Sequence, residues 1–427
     1  MRGRRDIVGV VDFGSHTIRV LVARQAADGR IHVVGHGSAP GKGSVINGVV
    51  QDRNAARDSL KRALKMAERE GRCKPGSLFC GVNGRKVETF IREGNVEVEN
   101  GEVEIDHLAE ARDIASRDLL SPGKNITSSV TAQEWYVDGM RVAEPLGIRG
   151  QVLKGRIHFA RIPGVVEDNM ASCVNAQRRE LEDVIFLPLA ASLGCLTPED
   201  MELGVAVLDL GRTTTGLAVY RNSQILDTRS FNWGAYHLTR DVAAGLQVGF
   251  DEADELVETY GINTGLIAMA LEEEDGIPPP TSGGEAERIQ LRTSVPGAPD
   301  SVERHVLDEI VFERAKELLV QVRQHLHARG LIQGLVRGVV LTGGASKLTN
   351  QAMLAEAVFD VPSRIGYPNS VEIVPEDARS PEYSGAVGIV RHAFDYRNAV
   401  RNGRVEASGA MVSLSRRVGR FFRRYFL

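Results

Sequence analysis

The sequence has few cysteines and no long apolar run. Its four cysteines, Cys73, Cys80, Cys173 and Cys195, show neither the spacing of metal ligands nor the pattern of a small disulfide-bonded protein. There is no apolar run of about eighteen residues, and the N-terminal MRGRRDIVGV has neither an apolar core nor a cleavage site. We therefore expect a cytosolic protein with reduced, partly buried thiols, no signal peptide and no transmembrane helix.

The net charge is small but unevenly distributed. Hydrophobic residues make up 42% and charged residues 25% of the 427 residues, which is typical of a soluble globular protein of two or more domains. The formal net charge is −4, yet residues 397–427 contain eight arginines and one glutamate, so this tail carries +7 and the rest of the chain −11. An acidic body with a basic tail predicts that the tail contacts an anionic surface.

A strand pattern that ends in an Asp-x-Gly-x-x-Thr turn occurs twice. Residues 7–24 read IVGVVDFGSHTIRVLVAR, and residues 205–221 read VAVLDLGRTTTGLAVYR. Each copy predicts an apolar strand, a sharp turn and a second strand, followed by a further turn at Asp28-Gly29 or Asn222-Ser223. With an offset of 197 residues, the aligned pairs are Asp12 and Asp209, Gly14 and Gly211, and Thr17 and Thr214.

This turn has the chemistry of a phosphate-binding loop. Glycine lets the backbone approach a phosphate without a Cβ in the way, and the N–H groups and hydroxyls of the turn can hold phosphate oxygens. The aspartate can hold a metal ion or a metal-bound water. One such turn is weak evidence, because Asp-x-Gly hairpins are common. Two copies in register indicate two similar domains that face one nucleotide.

A third glycine-rich segment follows an apolar strand at 339–341. Its loop, TGGAS at 342–346, precedes a helical pattern, so it is either a plain turn or a loop that lies against a ribose or base. After two Asp-x-Gly turns we favour the nucleotide. Two helices rich in small residues, 188–196 and 384–396, are predicted to cross between the two halves.

The remaining patterns organise the chain. We predict a helix at 54–71, a buried strand at Ser77–Val82, a helix and strand within 164–185, a helix at 250–261 and a long helix at 302–329. The pattern of residues 83–163 differs from that of the flanking sequence and predicts a β–α–β–β order, which indicates an inserted subdomain. We expect its His107 and His158 to have structural or surface roles. The Pro- and Gly-rich stretch 272–300 is predicted to be a surface loop.

The C-terminal tail predicts a membrane-binding helix after a flexible linker. Residues 397–410 are polar and turn-rich, whereas residues 411–427 place their apolar side chains within about 140° of a helical wheel and their arginines within about 120° on the other side. Such a helix lies in the plane of a membrane. The apolar side contains Met411, Leu414, Val418, Phe421, Phe422, Tyr425 and Phe426, and the basic side contains Arg416, Arg417, Arg420, Arg423 and Arg424.

Energy excludes a spanning orientation for this helix. Each arginine in the bilayer core costs about 2.5–3.5 kcal/mol, whereas each arginine near anionic lipid contributes about 1 kcal/mol. Docking on the protein's own core is disfavoured by the preceding linker. Nucleic acid explains the arginines but not the apolar side.

The order of these motifs resembles the superfamily of actin, sugar kinases and chaperone ATPases, and more closely the FtsA family of bacterial cell-division proteins. The resemblance covers nearly all of residues 7–394 and includes EPLGIRGQVL at 144–153 and LDLGRTTTGLAVY at 208–220. It implies an α/β, actin-like two-domain fold with ribonuclease-H-like repeats, an FtsA-type inserted subdomain and a C-terminal amphipathic helix. The implied parts are a first domain (1–82, 164–198 and 376–396), the insertion (83–163), a second domain (199–375, with a smaller subdomain at about 235–330), the linker (397–410) and the helix (411–427).

The resemblance also implies roles for residues at the nucleotide site. Residues 12–19 and 209–215 would form the two phosphate loops, and Gly234 and residues 343–346 would flank the sugar and base. Asp12 and Asp209 would hold magnesium through water and are the candidate catalytic groups. The expected nucleotide contacts are Asp12, Gly14, Ser15, His16, Thr17, Arg19, Asp209, Gly211, Arg212, Thr213, Thr214, Gly234, Asp254, Glu258, Gly343, Gly344, Ala345 and Ser346.

Several positions depart from the family pattern. Arg212 and Thr213 stand where the second loop usually has glycines, and arginine adds a forked, charged donor. Arg19 stands for a lysine in the first loop, and Val257 for a lysine on the adenine side. Residues 188–196 contain no glutamine or glutamate that could orient an attacking water. We expect binding of ATP and magnesium with slow hydrolysis or none, so that ATP is mainly a structural ligand.

The function implied by the resemblance is membrane attachment of a division polymer. Such a protein would bind ATP, form actin-like filaments and anchor the tubulin-like FtsZ to the inner face of the cytoplasmic membrane at the septum. Its partners would be FtsZ, further copies of itself, anionic lipids and, through 83–163, later division proteins, with no nucleic acid.

Three alternatives share this fold. A pilus-assembly ATPase of the type IV pilus ordinarily lacks the basic amphipathic tail. A small-molecule kinase needs a catalytic base, which we cannot identify in the sequence. A chaperone ATPase would need a substrate-binding domain where only residues 397–427 follow.

Overall fold

The structure is a computed structural model that describes residues 7–41, 43–117, 119, 126–274, 287–292, 299–372 and 374–401. The predicted membrane helix at 411–427 therefore lies outside the described residues. Contacts divide the chain into two units. The first unit contains the chain up to Gly194, Pro368–Arg379 and the chain from Gly385, and the second contains Cys195–Tyr367 and Ser380–Ser384.

The first copy of the repeated motif forms the centre of a five-stranded sheet in the first unit. The strand order is β11-β6-β1-β2-β3; β1, β2 and β3 form an antiparallel meander, and β1, β6 and β11 are parallel. The strands are β1 (Ile7–Phe13), β2 (Thr17–Gln25), β3 (Ile31–Pro40), β4 (Val45–Ile46), β5 (Val49–Val50), β6 (Ser77–Val82), β7 (Glu88–Glu97), β8 (Ile126–Val137), β9 (Met140–Val142), β10 (Val152–Pro163) and β11 (Glu180–Phe186).

Helices pack on this sheet through small residues. The predicted helix at 54–71 is confirmed as the first helix, and Asp52 caps it by accepting the N–H groups of Asn54 and Ala55. A Cβ on Gly35 or Gly37 would come within 2.1 Å of this helix's backbone, so these glycines allow the close contact. The helices of this part are α1 (Arg53–Gly71), α2 (Ile105–Ser116), α3 (Gly164–Asn175) and α4 (Leu187–Cys195).

Residues 83–163 form a separate antiparallel sheet in the order β7-β10-β8-β9, with α2 packed on β7 and β10. The predicted β–α–β–β order is confirmed for β7, α2, β8 and β10, and the structure adds the short strand β9 between the last two. The structural roles predicted for both histidines are also confirmed, because His107 Nδ1 accepts the Glu104 N–H at 2.9 Å and His158 is buried. The status of 83–163 as a subdomain of its own stays a prediction.

The second unit repeats the sheet of the first unit. Its order is β14-β13-β12-β17-β18, again three antiparallel strands followed by two parallel ones, so the predicted repeat is confirmed at the level of the sheet. The elements are α5 (Pro198–Leu203), β12 (Val205–Leu210), β13 (Thr215–Arg221), β14 (Gln224–Phe231), α6 (Ala235–Leu246), α7 (Phe250–Tyr260), α8 (Thr264–Glu274), β15 (Arg288–Gln290), β16 (Ser301–Glu303), α9 (Arg304–Ala328), β17 (Val339–Thr342), α10 (Gln351–Phe359) and β18 (Ser363–Ile365).

The predicted surface loop at 272–300 contains more regular structure than expected. α8 extends through Glu274, and β15 pairs with β16 as an antiparallel hairpin. Because Val302 lies in β16, the long helix begins at Arg304 rather than at 302 as predicted. Residues 275–286 and 293–298 lie outside the described part of the chain.

The last described helix is longer than predicted. This helix, α11 (Ser384–Arg401), continues past the predicted end at 396, so the first five residues of the predicted linker are helical. Arg397 explains the extension, because its Nε and Nη2 donate to Glu182 at 3.0 and 2.6 Å and its Nη1 donates to the carbonyl of Ile7 at 2.7 Å. A forked guanidinium held by a carboxylate and a backbone carbonyl fixes this helical turn.

The described cysteines agree with the expectation of reduced, partly buried thiols. All four thiols are free, and Cys80, Cys173 and Cys195 are buried. Burial raises the pKa of Cys80 and of Cys195, which keeps both thiols protonated. None of the helices within the described ranges is long and apolar enough to cross a membrane.

The small residues of α4 and α11 bring the two helices into backbone contact. A Cβ on Gly388 would lie 1.6 Å from the carbonyl oxygen of Ala190 and 2.9 Å from the nitrogen of Gly194. Only glycine fits at this contact, as the small-residue composition of both helices predicts.

Replacing Gly388 by alanine should destabilise the first unit. The added Cβ meets backbone that cannot rotate away, so we expect a loss of about 1–3 kcal/mol in the free energy of unfolding. Urea unfolding followed by circular dichroism measures the change. The matched control is Gly76→Ala, where nothing lies within 4 Å of the new Cβ. Equal midpoints for the two variants would contradict the packing described here.

Candidate functional site

The first turn joins β1 to β2 at the end of the central strand of the first unit. Phe13 pairs with Ile18, so residues 14–17 form the turn. A Cβ on Gly14 would lie 2.5 Å from the carbonyl oxygen of Thr17, which explains the glycine. The backbone of Gly41 closes over the turn by donating its N–H to the carbonyl of His16 at 2.7 Å. His16 is exposed at the tip.

Asp12 is buried at the start of this turn. It is 7% exposed, and its carboxylate lies 3.9 Å from the guanidinium of Arg19 on the paired strand. Burial raises the pKa of Asp12, and the charge of Arg19 partly opposes this rise. The first turn therefore presents a desolvated carboxyl group beside one cation.

The second turn has the same geometry in the second unit. Leu210 pairs with Thr215, and the N–H of Gly211 donates to the carbonyl of Thr214 at 2.9 Å. Asp209 is 9% exposed and stands beside Thr342 of β17, as Asp12 stands beside Gly81 of β6.

Gly234 holds the start of α6 against the second turn. A Cβ on Gly234 would lie 2.5 Å from the carbonyl oxygen of Gly211. The next two residues continue the contact, because Ala235 donates to the Gly211 carbonyl at 3.1 Å and Tyr236 to the Arg212 carbonyl at 2.7 Å. The predicted glycine thus supports the turn through its backbone.

Arg212 makes its charged contact with α7. Its Nη1 donates to Asp254 Oδ1 at 2.7 Å, and Thr239 of α6 donates a hydroxyl to the same oxygen. The guanidinium also lies 5.9 Å from the ring centre of Tyr236. Arg212 and Asp254, both predicted nucleotide contacts, are therefore partners of each other and tie the second turn to α6 and α7.

Val257 and Glu258 of α7 lie on different sides of the helix. Val257, which stands where the family has a lysine, is 7% exposed and belongs to the core of the second unit. Glu258 is exposed and lies one turn after Asp254, on the same side of the helix. A lysine at 257 would place a charge among apolar side chains, which accounts for the valine.

Gly343 brings the third glycine-rich loop onto the second turn. It has a φ of +83°, and a Cβ there would lie 2.5 Å from Asp209 Oδ1 and 2.6 Å from the carbonyl oxygen of Leu210. Ser346 closes the loop by donating its hydroxyl to the Gly343 carbonyl at 2.7 Å. The order of the motifs and the family resemblance predicted that these segments belong to one site, and the structure brings Asp209 and Gly343 into direct contact.

The sequence analysis left two supporting residues out of the site. Thr342 is fully buried, and its hydroxyl lies within hydrogen-bond distance of the carbonyls of Gly366 and Pro381, at 3.0 and 2.9 Å. Tyr236 lies under Arg212, as described above. The sequence pointed to Thr342 only through its position at the end of an apolar strand. Nothing in the sequence pointed to Tyr236, because its role depends on where α6 packs.

The predicted site residues fall into two groups. Asp12, Gly14, Ser15, His16, Thr17 and Arg19 lie on the first turn of the first unit. Within the second unit, Asp209, Gly211, Arg212, Thr213 and Thr214 form the second turn, with Gly234, Asp254 and Gly343 in contact with that group. Gly344, Ala345 and Ser346 follow in a short 3-10 turn. Among the described residues, no cluster of three or more His, Cys, Asp or Glu could hold a metal ion.

Comparison with known proteins identifies relatives over most of the chain. Residues 206–388 match the family model described as Cell division protein FtsA. The Cell division protein FtsA of Pseudomonas aeruginosa is 29% identical over 389 residues, which cover 91% of this chain and 89% of the relative. The protein of the same name from Escherichia coli K12 is 26% identical over 401 residues, covering 91% and 90%.

Solved structures show the fold. The structure titled PilM-PilN type IV pilus biogenesis complex matches 90% of this chain and 98% of its own with a TM-score of 0.63 at 15% identity. MreB 5 of Spiroplasma citri, solved with AMPPNP, matches 93% and 98% with a TM-score of 0.54 at 14% identity. The α/β fold of this chain is therefore actin-like, as predicted.

Replacing Asp12 by asparagine should stabilise the protein at neutral pH. Burial raises the pKa of this carboxyl, so the contribution of Asp12 to the free energy of unfolding is largest below its ordinary pKa of 3.8 and falls as the pH rises through the raised value. Asparagine removes the buried charge, so its advantage in the free energy of unfolding should be present at pH 7 and vanish at acidic pH. Urea unfolding over a pH series measures it.

The exposed Asp28 provides the control for this series. A hydrogen bond from Arg30 lowers the pKa of Asp28, so Asp28→Asn should act in the opposite direction, lowering stability at pH 7. If Asp12→Asn lowers stability at pH 7 as well, burial is not the dominant effect on Asp12.

Proposed function

We propose, from the premise that this chain is a homologue of the cell division protein FtsA with an actin-like fold, that it anchors a division polymer to the membrane. The observation that carries the proposal is the sequence similarity over about nine-tenths of both chains. The finer parts are binding of ATP, polymerisation, binding of FtsZ and attachment to the inner face of the cytoplasmic membrane at the septum. ATP binding and membrane attachment have support in the residues, whereas polymerisation and FtsZ binding rest on the similarity to the relatives.

ATP binding is supported by the two buried carboxylates and their glycine turns. Phosphate oxygens would accept the N–H groups of the turns, and Arg19 would add a charge beside the first turn. Asp12 and Asp209 are single carboxylates, which suits magnesium because this ion keeps most of its waters and takes one or two protein carboxylates. The close contact of Gly343 with Asp209 leaves that carboxylate beside bare backbone, as a ligand-holding loop requires.

The predicted slow hydrolysis of ATP follows from the side chains of α4 and from the partner of Arg212. Within α4 no carboxylate or amide side chain could orient a water for attack. Arg212, a possible transition-state donor by chemistry, is engaged by Asp254. ATP would then act mainly as a structural ligand that favours assembly.

Membrane attachment through 411–427 rests on the sequence, since that segment lies outside the described residues. One amphipathic helix binds weakly, but subunits joined in a filament present many helices to one surface. The effective concentration of the later contacts is then high, and the filament binds much more tightly than a monomer. Polymerisation and membrane binding would therefore support each other.

Pilus assembly remains the alternative function. It is supported by the fold-level likeness at 15% identity, whereas relatives in sequence carry the name of a division protein. Co-sedimentation with FtsZ separates the two functions, because a pilus-assembly protein has no reason to bind that polymer.

Gly343→Ala should weaken ATP binding by about tenfold or more. The new Cβ would meet Asp209 Oδ1 at 2.5 Å and displace the carboxylate or the loop. Isothermal titration with ATP and magnesium measures the affinity. Gly330→Ala is the matched control, because Gly330 also has a positive φ, +64°, but nothing lies within 4 Å of its new Cβ.

Equal ATP affinity in these two variants would remove the third loop from the nucleotide site. The same samples test the prediction of slow hydrolysis. Phosphate release on the order of 1 per second or faster would contradict a structural role for ATP.

Replacing Phe421 and Phe422 by serine should release the protein from membranes. Each phenylalanine contributes about 1.5–3 kcal/mol when buried, so we expect at least a tenfold fall in binding to anionic vesicles. Sedimentation of the vesicles with ATP, with and without FtsZ, measures the bound protein and the FtsZ recruited with it. Met140→Ser with Val165→Ser is the control, because both side chains are exposed apolar groups of the body. Unchanged binding of the tail variant would refute the membrane anchor.

A further inference from the structure

The ends of four strands meet at one edge of the sheet in the first unit. β1, β6 and β11 are parallel, so all three begin at this edge, and β2 ends there because Arg24 pairs with Ile7. Neighbouring strands lie about 4.8 Å apart, so the four ends span only about 15 Å. Residues just before these strands are therefore close neighbours.

Four basic residues stand at this edge, and we call them the basic rim. Arg24 lies at the end of β2, Arg72 and Lys74 lie between α1 and β6, and Arg178 lies two residues before β11. All four are exposed. None of them forms an ion pair with another residue in the part of the chain that the structure describes. The rim is thus a group of four exposed cations without an ion-pair partner among the described residues.

Nearby carboxylates do not neutralise the rim. Asp28 and Glu182 are engaged by arginines outside the rim, Arg30 and Arg397, and Arg179 beside the rim is paired with Glu68. The neighbouring carboxylates without an arginine partner are Glu70, Glu180 and, beyond the rim at the start of β3, Glu372. The four cations of the rim outnumber these three carboxylates, in a chain that carries −11 without its tail.

The helix that leads to the tail is fixed at the same edge. Arg397 of α11 contacts the first residues of β1 and β6 and the third residue of β11, namely Ile7, Ser77 and Glu182. From Arg401 to Met411 a chain can reach at most about 35 Å. A tail bound to a surface therefore holds this edge of the first unit near that surface.

We propose that the basic rim is a second membrane contact, which binds the headgroups of anionic phospholipids. The proposal rests on the proposed attachment through 411–427 and adds an orientation of the body. A cation near an anionic bilayer strengthens binding by about fivefold, and arginine pairs with phosphate through two N–H groups. Exposed cations that come from several strand ends of one sheet edge suit an extended anionic surface better than a small ligand.

The test compares two full-length variants that lose the same charge. The rim variant is R24Q/R72Q/K74Q/R178Q, and the control variant is R53Q/K61Q/R85Q/K86Q. The control residues are exposed cations on α1 and after the other end of β6. Vesicles of phosphatidylcholine with phosphatidylserine, and of phosphatidylcholine alone, are sedimented with each protein over a range of salt concentrations. Circular dichroism verifies that both variants are folded.

We expect the rim variant to bind the phosphatidylserine vesicles at least tenfold more weakly than the control variant, with a shallower salt dependence. Binding equal to that of the control would overturn the proposal, as would no binding of the wild-type chain to these vesicles. A fluorescent single-stranded DNA is tested in parallel; a rim variant that loses DNA binding but keeps vesicle binding also overturns it.

The tail variant F421S/F422S separates this proposal from the proposed membrane anchor. If the tail variant loses binding and the rim variant matches the control, the anchor stands and the rim fails. If the tail variant binds normally and the rim variant does not, the rim stands and the anchor fails.

Discussion

A carboxylate buried where the central strand ends is the feature on which the rest of each unit depends. Asp12 and Asp209 are 7% and 9% exposed, in a place where an ionised group is unfavourable without partners. Each carboxylate has a specific neighbour. Arg19 lies beside Asp12, and the third glycine-rich loop lies against Asp209. A stable fold alone does not require two such groups, whereas the proposed binding of phosphate and magnesium would use both.

Glycines shape the loops around these carboxylates. Gly14 and Gly211 shape the turns, Gly234 presses the start of α6 onto the second turn, and Gly343 reaches Asp209 itself. Because backbone meets backbone, a shift in one loop moves its neighbours directly. A ligand bound by the second turn would therefore shift the position of α6 and, through the contact of Arg212 with Asp254, the position of α7. This coupling would let a bound nucleotide influence assembly, as the proposed function requires.

The charge distribution complements this picture at the surface. The body is acidic, but the edge where β1, β6 and β11 begin is basic, and Arg397 fixes the end of α11 there. Attachment of an assembled filament would add many weak contacts on one plane. Weak single contacts would leave a monomer free to exchange, and their number would make the attachment of a filament stable.

The sequence by itself determined the local structure. The two hairpins, α1, β6 and the sheet repeat follow from periodicity and turn residues that act within a few positions of one another. The tertiary structure alone decided contacts between distant residues. Arg212 meets Asp254 across 42 positions and Arg397 meets Glu182 across 215, and these contacts made Arg212 a support of its loop and turned the start of a predicted linker into helix. Val257 was decided in the same way, since only packing shows that its side chain joins the core. The physical reason is that a pattern in the chain encodes which face is apolar, whereas the partner of a charged side chain depends on which elements the folded core brings together.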